Sequence, residues 1–232
     1  WVPVFFFLMI RGQRGSQLFP YTTLCRSRRC VRGSHVSGID WDAHDFHPVV
    51  ELPDDYVVLN LSEGAPVTLF DGKTCAIGRY DELRPNVYNT PLFGGVRNIH
   101  MGIDIGGAIG TEVRAFADGT IHSFGYNAAA GDYGHVVITQ HTLDGVDLWA
   151  LFGHLDSGST TGMVVGQQVE AGEVLGRFGR YTENGGWPPH VHIQLSYVEP
   201  QTHDMPGVVS KEDHADALEQ YPDPQLVLGT LY

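Results

Sequence analysis

Short apolar runs separated by glycine- and aspartate-rich turns dominate the middle of this chain. They fall at 112–117, 120–125, 135–141, 148–154, 173–178 and 190–195, rich in branched residues and each too short for a typical helix. Turn signals such as Asp144-Gly145 punctuate them. Closely spaced strands of this kind predict a mainly β fold of antiparallel sheets. Upstream, Val57-Val58-Leu59-Asn60-Leu61 predicts one more strand in an otherwise turn-rich stretch. Downstream, Ser210 is a candidate N-cap for a short helix reaching about Glu219, with Glu212 and Asp213 suited to its first turn. Tyr221-Pro222-Asp223-Pro224 then stops it.

The amino-terminal stretch does not fit this pattern. Val4 to Ile10 is apolar, but arginines follow it instead of preceding it and no small-residue cleavage site is evident, so it does not read as a signal peptide. It is also too short to span a bilayer, which takes about 20 apolar residues. Leu18-Phe19-Pro20-Tyr21-Thr22-Thr23-Leu24-Cys25-Arg26-Ser27 resembles the translation of a sequencing-library adapter, with residues 1–27 under the same suspicion. Residues 1–32 are therefore expected to be non-native or disordered. The expected organisation is a flank at 33–98, a core at 99–200 and a second flank at 201–232. About 200 residues suffice for one domain with a full core.

Setting 1–32 aside sharpens the charge balance. All six of its charged residues are arginines, which leaves 8 basic against 27 acidic residues, a net of −19 in place of −13. A body this acidic argues against nucleic-acid partners and against simple adhesion to anionic surfaces. Cys75 is the only cysteine beyond residue 32, so no disulfide framework or thiolate metal site is available.

The chemistry lies in histidines and one aspartate: His100-x-x-x-Asp104, His154 within Phe152-Gly153-His154-Leu155, and His190-Val191-His192. A catalytic zinc typically takes three nitrogen or oxygen ligands and keeps one position for water, and these groups supply that number with two imidazoles to spare. The strand pattern of 190–195 puts His190 and His192 on one face, with Val191, Ile193 and Leu195 on the other. One of the two can bind metal while the other faces substrate. His122, His135 and His141, taken singly, read as hydrogen-bonded packing residues of strands. His35, His44, His47, His203 and His214 read as solvated. Asp118, Asp132 and Asp144 read as turn residues, as Asp104 beside Gly106-Gly107 would but for its spacing from His100. Tyr133 and Trp187 stand where they could border a cleft, against a packing reading.

As an ordered set, His100-Met101-Gly102-Ile103-Asp104, the Gly-His-Leu segment and the closing His-x-His resemble the M23 (LytM/lysostaphin-type) zinc metallopeptidases, over about Ile99 to Tyr197. Gly110 to Gly119 and Gly166 to Gly176 resemble turn-and-strand segments of the same family. The resemblance implies antiparallel sheets forming an open groove, with Zn2+ held by His100, Asp104 and His192 and with His154 and His190 as the catalytic pair. It implies hydrolysis of a peptide bond in a peptide or peptidoglycan-like substrate. Two departures touch the groove wall: Glu183-Asn184-Gly185-Gly186-Trp187-Pro188-Pro189 replaces the usual small-residue run, and Gln194 stands where a glutamate is common. The segment 166–179 also resembles the hairpin of biotinyl and lipoyl carriers, but Glu170-Ala171-Gly172 offers no modifiable lysine, and it reads as structural.

Ala76 to Tyr80, Asn184 to His190, His203 to Val208 and Tyr221 to Pro224 resemble the M23-like module found between kinase-like and class III aminotransferase domains in bacterial fusions. That resemblance implies covalent fusion partners and a competing function, a non-hydrolytic module that binds or organises partners. The compartment follows the context: cytoplasmic in a fusion, cell envelope for a wall hydrolase.

Overall fold

A computed structural model describes residues 38–63 and 74–232. The reading of 1–32 as non-native or disordered, like that of His35 as solvated, lies outside the described residues. Among those described, the strands are β1 (Val57–Val58), β2 (Ala76–Gly78), β3 (Glu82–Leu83), β4 (Ile99–His100), β5 (Ile103–Gly106), β6 (Glu112–Arg114), β7 (Gly119–Asn127), β8 (Gly134–Leu143), β9 (Val146–Leu155), β10 (Gln168–Val169), β11 (Val174–Arg177), β12 (His190–Ser196) and β13 (Val208–Val209). Two short helices follow, α1 (His214–Gln220) and α2 (Gln225–Leu228). The fold is mainly β, as the apolar pattern predicts.

The main sheet runs β1-β2-β5-β12-β9-β8-β7-β10, antiparallel except for the β1–β2 pair. Its longest hairpin, β8–β9, turns at Asp144 and Gly145 with φ of 51° and 82°. Two left-handed residues match the right-handed twist of the strands they join. Every residue of β12 is buried. Val191, Ile193 and Leu195 enter the main core with Ile103, Ile105 and Phe152. His190, His192 and Gln194 project from the opposite face, as alternation dictates. A three-stranded sheet, β13-β4-β3, joins both flanks to the strand that carries His100, since Glu82 and Val208 both pair with His100.

Two elements differ from expectation. The strand expected at 57–61 stops after Val58, and Leu61–Glu63 forms a 3-10 turn. The expected helix starts at His214, because the Ser210 hydroxyl receives the Asp213 N–H at 3.2 Å and closes a turn ahead of the helix. Within 166–179 the two strands pair outward, β10 with β7 and β11 with β6, and so do not form a hairpin with each other. Among the described residues, no helix is long and apolar enough to cross a membrane.

His141 is a packing residue, as expected of a lone strand histidine. It is 1% exposed, donates from Nδ1 to the Asp118 carbonyl at 2.9 Å, meets Thr139 Oγ1 at 2.7 Å and packs on Phe116. Burial pushes its pKa down to about 4, although the Asp118 carbonyl pulls the other way. The unfolded chain then takes up this proton near pH 6.5, before the folded one. Its stabilising contribution is complete above that pH and is lost as pH falls through about 4. We expect roughly 3 kcal/mol of acid-sensitive stability from this residue. Melting temperatures between pH 7 and pH 4 should fall less in His141→Gln than in the parent; equal slopes would contradict this.

Candidate metal centre and cleft

Asp104, on β5, stands directly opposite His192 on β12 and opposite Gly78 on β2. His100, at the end of β4, reaches the same point from the second sheet. Three ligand atoms converge there: His100 Nε2 and His192 Nδ1 are 2.9 Å apart, and each is 3.1 Å from Asp104 Oδ1. All three residues are buried.

The outer ring nitrogens set the tautomers. His100 Nδ1 donates to the Arg79 carbonyl at 2.8 Å, and His192 Nε2 donates to Gln194 Oε1 at 3.2 Å. Each neutral ring has one N–H, so both inner nitrogens present lone pairs to each other and to a carboxylate oxygen. Such a cluster repels itself unless a proton or a metal cation sits among the three. The spacing suits the metal, because ligands about 2.0–2.1 Å from a tetrahedral zinc lie about 3.3 Å apart.

Burial lowers the pKa of His100 to about 4, with the nearby Arg84 charge adding to the effect and Asp104 opposing it. Burial works against charging Asp104, but the neighbouring His100 and the Arg84 guanidinium hold its carboxyl well below the usual range. Neutral imidazoles and an ionised carboxylate are the forms a divalent metal binds.

His154 and His190 lie beside this cluster with their rings 4.2 Å apart. His154 Nδ1 donates to the Asn184 carbonyl at 2.8 Å and His190 Nδ1 to the Pro188 carbonyl at 2.7 Å. Each therefore keeps its basic pair on Nε2, and that of His190 is 3.9 Å from Asp104 Oδ1. Burial lowers both pKa values, helped for His154 by the neighbouring His190 and His192. His154 sits at φ 63°, a left-handed conformation uncommon for a non-glycine residue.

All five residues line one cleft of about 390 Å3, together with Tyr133 and Trp187. The Tyr133 hydroxyl donates to the Met205 carbonyl at 3.1 Å, with its ring 5.5 Å from His154. Sequence reasoning missed Arg84, Tyr88, Leu92 and Phe93, which the first flank adds to the wall. Arg84 is one of only eight basic residues beyond position 32, and that scarcity was its only signal.

Gly102, between His100 and Asp104, shows how tightly the centre is built. A Cβ there would lie 2.4 Å from His192 Cε1 and 2.6 Å from the Ile193 carbonyl oxygen. Gly102→Ala is expected to displace the His192 ring and weaken metal binding about 10-fold or more. Competition against a chromophoric chelator measures this, and unchanged affinity would contradict it.

Residues 98–204 match the profile of Peptidase family M23. The match covers a little under half of the chain. The matched segment contains all five clustered residues, while Arg84, Tyr88, Leu92 and Phe93 lie outside it. Similar solved structures include a point mutant of the catalytic domain of the prophage-encoded M23 protein EnpA from Enterococcus faecalis. It has 24% identity over 58% of this chain and 85% of that one, with a TM-score of 0.39. The catalytic domain of the antimicrobial peptidase lysostaphin from Staphylococcus simulans shows 20% identity over 65% and 98%, TM-score 0.39. A zinc-containing peptidase from Vibrio cholerae shows 22% identity over 49% and 31%, TM-score 0.35. No curated protein matches the chain.

Proposed function

We propose that this chain is a zinc-dependent metalloendopeptidase that hydrolyses peptide bonds, with peptidoglycan cross-links as the favoured substrate class. The observation that carries the reading is the convergence of two imidazole lone pairs and one carboxylate oxygen within 2.9–3.1 Å of one another, beside two further imidazoles. His100, Asp104 and His192 would hold the zinc, which supplies Lewis acidity toward a carbonyl and toward water. His154 and His190 are the catalytic residues. Their Nδ1–H groups are committed to backbone carbonyls, so each Nε2 can take a proton from the attacking water and return one to the leaving amine. Their lowered pKa values keep both rings neutral, and able to act as bases, at neutral pH.

The cleft wall is aromatic beside the catalytic pair. Tyr88 and Trp187 meet edge to face at 6.1 Å, and Trp187 lies 6.3 Å from His154. We read 99–200 as the catalytic core, with 33–98 and 201–232 as its flanks. The test is hydrolysis of purified peptidoglycan and of glycine-rich peptides by the zinc-loaded chain, before and after chelation. Chelator-sensitive cleavage restored by zinc is the expected result. Stoichiometric zinc with no cleavage of any peptide would favour the non-hydrolytic, fusion-associated module instead.

A further inference from the structure

The metal ligand Asp104 uses only one of its oxygens in the cluster with His100 and His192. The other, Oδ2, accepts from Arg84 Nη1 at 2.7 Å. Arg84 is 2% exposed and is held on every side: Nε donates to Glu82 Oε2 at 2.8 Å, Nη1 also donates to the Tyr88 hydroxyl at 3.0 Å, and Nη2 donates to the Arg79 carbonyl at 3.2 Å. Glu82 is buried too, and its Oε1 accepts the Leu61 N–H at 2.8 Å. Gly78 leaves the space for this contact, because a Cβ there would lie 2.7 Å from Arg84 Nη2 and 2.9 Å from Asp104 Oδ2.

A buried guanidinium is costly unless its partners are in place, so the arrangement calls for a reason beyond packing. One follows from charge and geometry. Glu82, Arg84 and Asp104 together carry −1, less than one divalent cation supplies. Arg84 also occupies Oδ2, so that Oδ1 alone faces the two histidines. Arg79, Glu82, Arg84 and Tyr88 all precede residue 98, where the M23 match begins.

We infer that the first flank is a working part of the metal centre, with Arg84 as a positioning residue that fixes Asp104 as a single-oxygen ligand and Glu82 as its anchor. This rests on the zinc reading above. In a protein interior, partners that orient a ligand typically change metal affinity by 10–100-fold.

The test uses the full chain with paired substitutions Glu82→Gln and Arg84→Met, which remove one charge of each sign and leave the net charge at the site unchanged. The readouts are zinc affinity by chelator competition and the visible spectrum of the Co2+-loaded protein, with folding checked by circular dichroism. We expect zinc affinity to fall 10–100-fold and the Co2+ bands to weaken and shift as Oδ2 becomes available and coordination number rises. A folded double variant with unchanged affinity and spectrum would overturn the inference while leaving the zinc reading intact. Failure of the parent to bind zinc would instead sink the zinc reading.

If the double variant does not fold, Arg84→Lys carries the test. Lysine keeps the charge but offers one nitrogen for two carboxylates. A loss of five-fold or more in affinity with a shifted Co2+ spectrum supports the inference, and parental behaviour in both measurements overturns it.

Discussion

Asp104→Ala is expected to abolish stoichiometric zinc binding, lowering affinity on the order of 1000-fold or more. Zinc sites typically release about 10–16 kcal/mol shared among their ligands, so one ligand accounts for several kcal/mol. The loss here is larger than the removal of one bond, because Asp104 is the anion between two neutral imidazoles. Without it, Glu82 neutralises Arg84 and no negative charge remains to hold a cation. The alanine variant also takes one of two carboxylates from a buried guanidinium, and the lost 2.7 Å contact costs roughly 1–3 kcal/mol of folding stability. Asp104→Asn keeps the shape and separates the two effects. It should fold and still lose zinc, as measured by metal content after gel filtration and by chelator competition.

The second large effect concerns turnover without metal loss. Neither His154 nor His190 belongs to the three-atom cluster, and each is fixed through Nδ1 to a carbonyl at 2.7–2.8 Å. Removing either imidazole should therefore leave zinc affinity within a few-fold of the parent while kcat falls about 100- to 10,000-fold, the range of a lost general acid–base group. The backbone at position 154 guides the choice of substitution. With φ at 63°, alanine adds strain, whereas asparagine tolerates the left-handed region. His154→Asn and His190→Ala are the suitable pair. Loss of zinc in either would reverse the division of roles between ligands and bases.

The central strand was legible because its chemistry follows a period of two. His190 and His192 share a face as their spacing requires, and the apolar residues between them fill the core. The relation of His100 to Asp104 was legible as a pair but not as a geometry. The spacing of four matches one helical turn, yet the residues lie on β4 and β5 in different sheets, with Met101 and Gly102 between them. Gly102 matters for lack of a side chain, which lets His192 approach.

The flank residues could not be read in this way. A buried arginine is defined by partners distant in sequence, and nothing in Glu82-Leu83-Arg84 names Asp104, twenty residues on, as the acceptor. The helix start was also misplaced, because a serine hydroxyl that closes a turn and one that caps a helix make the same local hydrogen bond.

The measurement that tests the account most directly is zinc content per chain, by mass spectrometry of the native protein, for the parent, Asp104→Asn and His154→Asn. The account predicts one zinc in the parent and in His154→Asn, and none in Asp104→Asn. A parent without zinc, or an Asp104→Asn variant that retains it fully, would contradict the assignment of His100, Asp104 and His192 as a metal centre.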